Sequence, residues 1–165
     1  MVMNDIVLNK AMKKLLNRAA FFSKKMQADK IESIISANML RLKHYSEGDQ
    51  YWIVMDNRKV TLTDIERVYS DLVGYEWTCN EIYIEAKFFK RNYRETILIM
   101  LTKMKDFLSQ QYPNESFFIG ISAQQGQYAN IKAHFHLFRK NQFYLDLNIE
   151  NYTQPTLYEI FTPSM

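Results

Sequence analysis

The sequence predicts an α+β domain: a mostly antiparallel sheet of about five strands with helices on one face, and a helical hairpin at the N-terminus. Three observations predict it. Helical periodicity rules the first part of the chain and two-residue alternation rules the end, the segregated order of α+β proteins. Eleven Tyr, 11 Phe and 2 Trp accompany only 4 Gly and 3 Pro in 165 residues. That balance favours long regular elements over the many tight corners of a small barrel or sandwich. Hydrophobic content of 47% and charge of 24% match a globular chain, and no repeat, low-complexity tract or linker divides it. Residues 1–165 therefore read as one domain, with the hairpin over 1–45 and a sheet with two helices over 50–165.

In chain order, Val7, Ala11, Leu15, Ala19 and Phe22 recur at helical spacing, widened by Leu8, Met12 and Phe21, and predict a helix from Asp5 to Lys25. Asp29 with Glu32 three residues on has capping-box spacing. It opens a second helix striped by Ile31, Ile34, Ile35, Asn38, Met39 and Leu42, ending near His44 before the loop residues Ser46-Glu47-Gly48-Asp49. The pair docks in cis or forms an arm for a homodimer; docking in cis is the preferred reading. Tyr51–Met55 is a short strand. Thr63-Asp64-Ile65-Glu66 caps a helix that stops at Gly74. Glu76 to Phe89 then reads as extended, with Ile82, Ile84, Ala86 and Phe88 on one side and Tyr83, Glu85, Lys87 and Phe89 on the other. Asn92 and Glu95 start a helix through Ile97, Met100, Leu101, Met104 and Leu108, which Pro113 ends.

From Phe117 to Ile149 the alternation predicts a three-stranded meander with a core face and a presented face. Ala129, Ile131, Ala133, Phe135 and Leu137 point inward while Lys132, His134 and His136 point outward. Phe143, Leu145, Leu147 and Ile149 continue the inner set, with Tyr144, Asp146 and Asn148 outside. Gly126 suits a positive φ in the hairpin loop, and Leu157–Phe161 adds an edge strand.

The net charge of +3 is uneven. Through Tyr45 nine Lys and Arg face three Asp and Glu, giving +6, and the remainder has twelve against fifteen, giving −3. Lys10, Lys13, Lys14 and Arg18 could meet phosphates, so a nucleic-acid-binding protein is one reading. No helix-turn-helix or RNA-recognition signature accompanies them. The single Cys79 excludes an internal disulfide and fits a reducing compartment. With no signal peptide and no apolar run near the ~18 residues of a span, a cytoplasmic protein without membrane attachment is expected.

His134-Phe135-His136 places two imidazoles on one side of a strand, roughly 7 Å apart. With Asp146 or Glu85 as a further ligand they could hold zinc or iron and support a metal-dependent hydrolase. Glu85-Ala86-Lys87 is similar to the ExK of PD-(D/E)xK nucleases, which also need an acidic residue on a preceding strand. Gly120-Ile121-Ser122-Ala123-Gln124 is not the GxSxG of a nucleophile elbow, and no phosphate loop occurs. Without a complete catalytic pattern, a binding module that needs no cofactor is the leading reading.

The run Leu145-Asp146-Leu147-Asn148-Ile149-Glu150-Asn151-Tyr152, followed by Gln154-Pro155-Thr156-Leu157-Tyr158-Glu159-Ile160, resembles the endings of small bacterial toxin-immunity proteins of the polymorphic-toxin and contact-dependent-inhibition type. The resemblance implies a single-domain inhibitor that occludes a cognate toxin. On that view the contact face carries Tyr83, Glu85, Lys87, Lys132, His134, His136, Tyr144 and Asp146. Glu76, Glu81, Glu85, Asp146 and Glu150 would then complement a basic partner.

Overall fold

The structure, a computed structural model, describes residues 6–18, 28–56, 58, 60–89 and 92–163. The α+β class is as the sequence predicts. β5 (Phe117–Gln124) and β6 (Asn130–Leu137) form the central hairpin, with Gly120 opposite His134. Gly126 turns it at φ +94°, where a side chain would strain the backbone. β7 (Thr156–Phe161) lies on the other side of β5, β4 (Glu81–Glu85) on the free side of β6, and β1 (Val7–Leu8) adds two residues to β7. The order is β1-β7-β5-β6-β4, and every pairing is antiparallel.

One face of this sheet carries the main core. Ile119, Ile121, Ile131, Phe135 and Leu157 pack beneath α1 (Lys10–Arg18), α2 (Ala28–Met39), α5 (Ala86–Phe89) and α6 (Tyr93–Gln111). Met12 and Leu15 of α1 and Ile31, Ile35 and Met39 of α2 are buried in it, so the described parts of both helices dock in cis. Residues 19–27, which include the predicted Ala19, Phe21, Phe22, Lys24 and Lys25, lie outside the described residues. Glu159 on this face is buried and meets the Lys105 ammonium at 2.6 Å.

Four expectations are corrected, each by side-chain chemistry. The first helix begins at Lys10, not Asp5, because Asn9 caps it: the Asn9 Oδ1 accepts from Met12 N at 2.8 Å. Val7 and Leu8 are strand, and the Asn9 amide donates to the carbonyls of Tyr152 and Gln154. The second helix ends at Met39, and Lys43–Glu47 is strand β2, paired with β3 (Gln50–Val54) in a separate sheet. Tyr45 stacks on Trp52 there, and Gly48 supplies the positive φ of a two-residue turn.

The third correction concerns Glu76 to Phe89. α3 (Leu62–Tyr69) breaks at Ser70, φ 70°, and α4 (Leu72–Cys79) follows, capped by Asp71, which accepts from Gly74 N at 2.7 Å. Gly74 is thus inside a helix rather than ending one. A Cβ there would lie 2.7 Å from the Tyr69 carbonyl oxygen, so the close approach of α3 requires glycine. The last concerns the meander, which has two strands. After β6 the chain is irregular apart from a 3-10 turn at Ile149–Asn151. Asp146 draws the Asn148 backbone N–H to its own carboxylate at 2.8 Å, an Asx turn that competes with strand pairing. β7 takes the vacant place beside β5, pairing from Phe117–Phe161 to Ser122–Thr156.

Candidate functional site

The outer sheet face carries Phe118, Gly120 and Ser122 of β5, Lys132, His134 and His136 of β6, and Glu81 and Tyr83 of β4. It is half covered and half open, and α4 draws the boundary. Glu76 and Asn80, four apart on that helix, join two sheet edges. The Glu76 carboxylate accepts from Ile53 N of β3 at 2.9 Å and from Leu137 N of β6 at 3.2 Å. Asn80 accepts from Met55 N and donates to the carbonyls of Ile53 and Phe135. Arg139 completes the bridge, donating to Glu76 at 2.6 Å and to the Tyr51 carbonyl at 2.8 Å. Burial pushes the Glu76 carboxyl above its ordinary pKa, while the guanidinium and the two backbone donors oppose that shift.

With α4 so held, Trp77 lies on the sheet. Its indole stacks on Tyr144 at 5.1 Å and on His134 at 4.9 Å, both rings close to parallel with it. Gly120 leaves the room: a Cβ there would fall 2.5 Å from the indole Cη2 and 2.9 Å from Leu145 Cδ1. Behind the indole, His136 and Phe118 stack at 5.1 Å, and Phe118 stacks in turn on Tyr158. Phe143 closes this aromatic cluster edge-on, so the irregular segment after β6, not the N-terminal helices, covers Phe118.

The two histidines differ. His136 is wholly buried; its Nδ1–H donates to the Leu137 carbonyl at 2.7 Å, and Nε2 has no partner among the described residues. Burial lowers its pKa from 6.5 to about 4, so the ring is neutral. His134 donates from Nδ1 to the Trp77 carbonyl at 2.9 Å, while Nε2 stands 3.4 Å from Glu81; burial lowers its pKa too. Both rings are oriented by backbone carbonyls. Asp146 faces Asn148 and Asn151 instead. Among the described residues no group of three or more His, Cys, Asp or Glu side chains could hold a metal ion.

The other expected site residues fall on the open half or away from it. Lys132 bridges to Glu81 at 2.9 Å, with its ammonium 5.6 Å from the Tyr83 ring centre. Tyr83, Glu85 and Tyr144 are exposed. Lys87 stands on α5 rather than on β4 and pairs with Glu85 at 2.7 Å, so the ExK does not lie on one strand. Phe89 is buried in the main core and Glu76 in the bridge, and neither can meet a partner. Lys10, Lys13 and Lys14 are exposed on α1, Arg18 ends that helix, and Glu150 accepts from Lys10 N at 3.1 Å.

Sequence reasoning missed Trp77, Glu76 and Asn80 as organising residues. The signal was present: Asp71 three residues ahead of Gly74 is a cap, and Glu76 and Asn80 are the polar positions, at helical spacing, of an otherwise apolar run. Among the described residues no helix is long and apolar enough to cross a membrane. The chain belongs to the uncharacterized protein PM0498 family, whose model matches residues 7–163. No curated protein and no solved structure matches it.

Proposed function

We propose that this family member is a non-catalytic binding module that meets a protein partner with the open half of its outer sheet face. The observation that carries the reading is the arrangement of Tyr83, Lys132 and Glu81. Tyr83 sits opposite Lys132 across β4 and β6, Glu81 sits opposite His134, and the Lys132 ammonium lies between the Tyr83 ring and the Glu81 carboxylate. An exposed aromatic fixed among charges on a rigid sheet suits recognition, since Tyr is enriched in interface cores and strand backbones hold it in place. The finer form of the proposal, resting on the C-terminal resemblance, is a cytoplasmic inhibitor of the toxin-immunity type; the lone Cys79 fits that compartment.

Affinity capture from lysate of the source cell tests it, with wild-type protein beside a Tyr83→Ala/Glu85→Lys variant. A protein retained by the wild type and lost from the variant is the expected result. Equal retention by both, or nothing retained above a bare-resin control, overturns the reading.

A further inference from the structure

At the boundary between the covered and open halves lies a cavity of about 190 Å³. Its apolar wall is the Trp77 indole with Leu145, and its polar rim is Ser122, Lys132, Tyr152 and Gln154. We infer that this cavity binds a small monocarboxylate with a ring-sized apolar body, at a site that shares Lys132 with the partner face.

The rim is rich in donors and holds no carboxylate. The Ser122 hydroxyl and the Gln154 side-chain amide have no hydrogen-bond partner among the described residues. The Tyr152 hydroxyl accepts from Asp146 N at 2.8 Å and keeps its own proton to give. Lys132 uses one bond on Glu81, an ion pair exposed enough to hold little free energy, and keeps two N–H groups. An incoming acid shares the Lys132 ammonium with Glu81, and a single ammonium suits a monoanionic carboxylate over a phosphate dianion. Hydrogen bonds from such donors to an ionised acceptor are the strong kind.

Volume and wall chemistry set the rest of the ligand. An enclosed apolar space of about 150 Å³ is enough for benzene, so this cavity takes one ring and its acid group and excludes drug-sized molecules. Tyr144 and His134 already stack on the Trp77 indole. The indole therefore offers its edge, the part that favours the face of another ring. Tyr83 and Glu85 do not line the cavity. Lys132 belongs to both sites, so their tests keep the readings apart: the capture experiment varies Tyr83 and Glu85 alone, and the benzoate–benzamide comparison needs no partner.

Titration of the full chain with benzoate, followed by proton–nitrogen correlation spectra, tests the inference. Benzoate should shift the Gly120 and Ser122 amides and the Trp77 indole N–H saturably, with a Kd of about 1 mM or tighter. Benzamide, the neutral analogue, should bind at least about tenfold more weakly, as should benzoate to Lys132→Met. The benzoate–benzamide comparison needs no variant, and Ser122→Ala, which removes one donor, should weaken benzoate several-fold in a protein whose spectrum is otherwise unchanged. Equal binding of benzoate and benzamide, or no saturable shift with benzoate, overturns the inference.

Discussion

The two faces of the five-stranded sheet are covered by different means. The inner face is sealed by four helices over Ile119, Ile121, Ile131 and Phe135, all buried, and its Glu159 carboxylate is matched by Lys105. The outer face is sealed over half its area by one indole and an irregular segment, set on a glycine that leaves no room to spare. The inner cover is distributed, so each side chain contributes a share. The outer cover is concentrated in Trp77, which touches Phe118, His134, His136 and Tyr144. Concentration makes that face sensitive to single substitutions and leaves its other half uncovered.

The largest expected effect follows from that concentration. Trp77→Ala should lower unfolding free energy by about 4 kcal/mol, because the vacancy cannot collapse onto a glycine floor. Chemical denaturation measures it, and hydrogen exchange should then rise at His134 and His136 more than at Phe135. A loss below about 1 kcal/mol would mean that the segment after β6 covers the face unaided.

Next comes the pH response of the same half. His136 is buried neutral, with its pKa lowered from 6.5 to about 4; Arg139 and Asp71 are the charged groups acting on it. The unfolded chain takes up a proton below the ordinary value, while the native ring resists until about 4. This group's contribution to stability is therefore complete above pH 6.5 and is lost as the pH falls toward 4, roughly 3 kcal/mol over that interval. His136→Phe should lack this slope, about 1.4 kcal/mol per pH unit, in denaturation series from about pH 7 to about pH 4. Parallel slopes for the two proteins would show that His136 is hydrated or paired in the native state.

Gly120→Ala should cost about 2 kcal/mol, since the new methyl meets the indole at 2.5 Å and must displace it or Leu145. Ala123, on the inner face of the same strand, is buried in the main core. A cost near zero for Gly120→Ala would show that the indole can shift. In that case the Trp77–His134 stack should weaken, visible as a change in indole fluorescence.

The inner face was legible in the sequence because two periodicities met there. Alternation at Ile131, Ala133 and Phe135 and helical spacing at Ile97, Met100 and Met104 each predict a buried stripe, and packing helix on sheet buries both in one core. The outer cover was not legible, because nothing periodic produces it. Tyr75-Glu76-Trp77 reads as a strand until the Asp71 cap is recognised, and Phe143 to Ile149 alternates perfectly while Asp146 and Asn148 fold it into a turn. On the outer face of β6 Lys132 is half-exposed, while His134 lies largely beneath Trp77 and His136 is fully buried, so neither histidine is presented as alternation predicts. Alternation gives the side of the sheet; it does not say what else lies on that side.

The smallest effect is the one that bears most on function. Tyr83 is 43% exposed, and its one described ring contact is the Lys132 ammonium at 5.6 Å. A cation–π contact at an exposed site is worth about 0.5–1 kcal/mol, so Tyr83→Ala should change stability by about 0.5 kcal/mol. A double-mutant cycle with Lys132→Ala should return a coupling of similar size. An effect of that size is what the proposed partner face requires of Tyr83: a ring left available for contact without being needed by the fold. A loss above about 2 kcal/mol would assign Tyr83 to the fold instead, and the partner face would have to be sought elsewhere on the molecule.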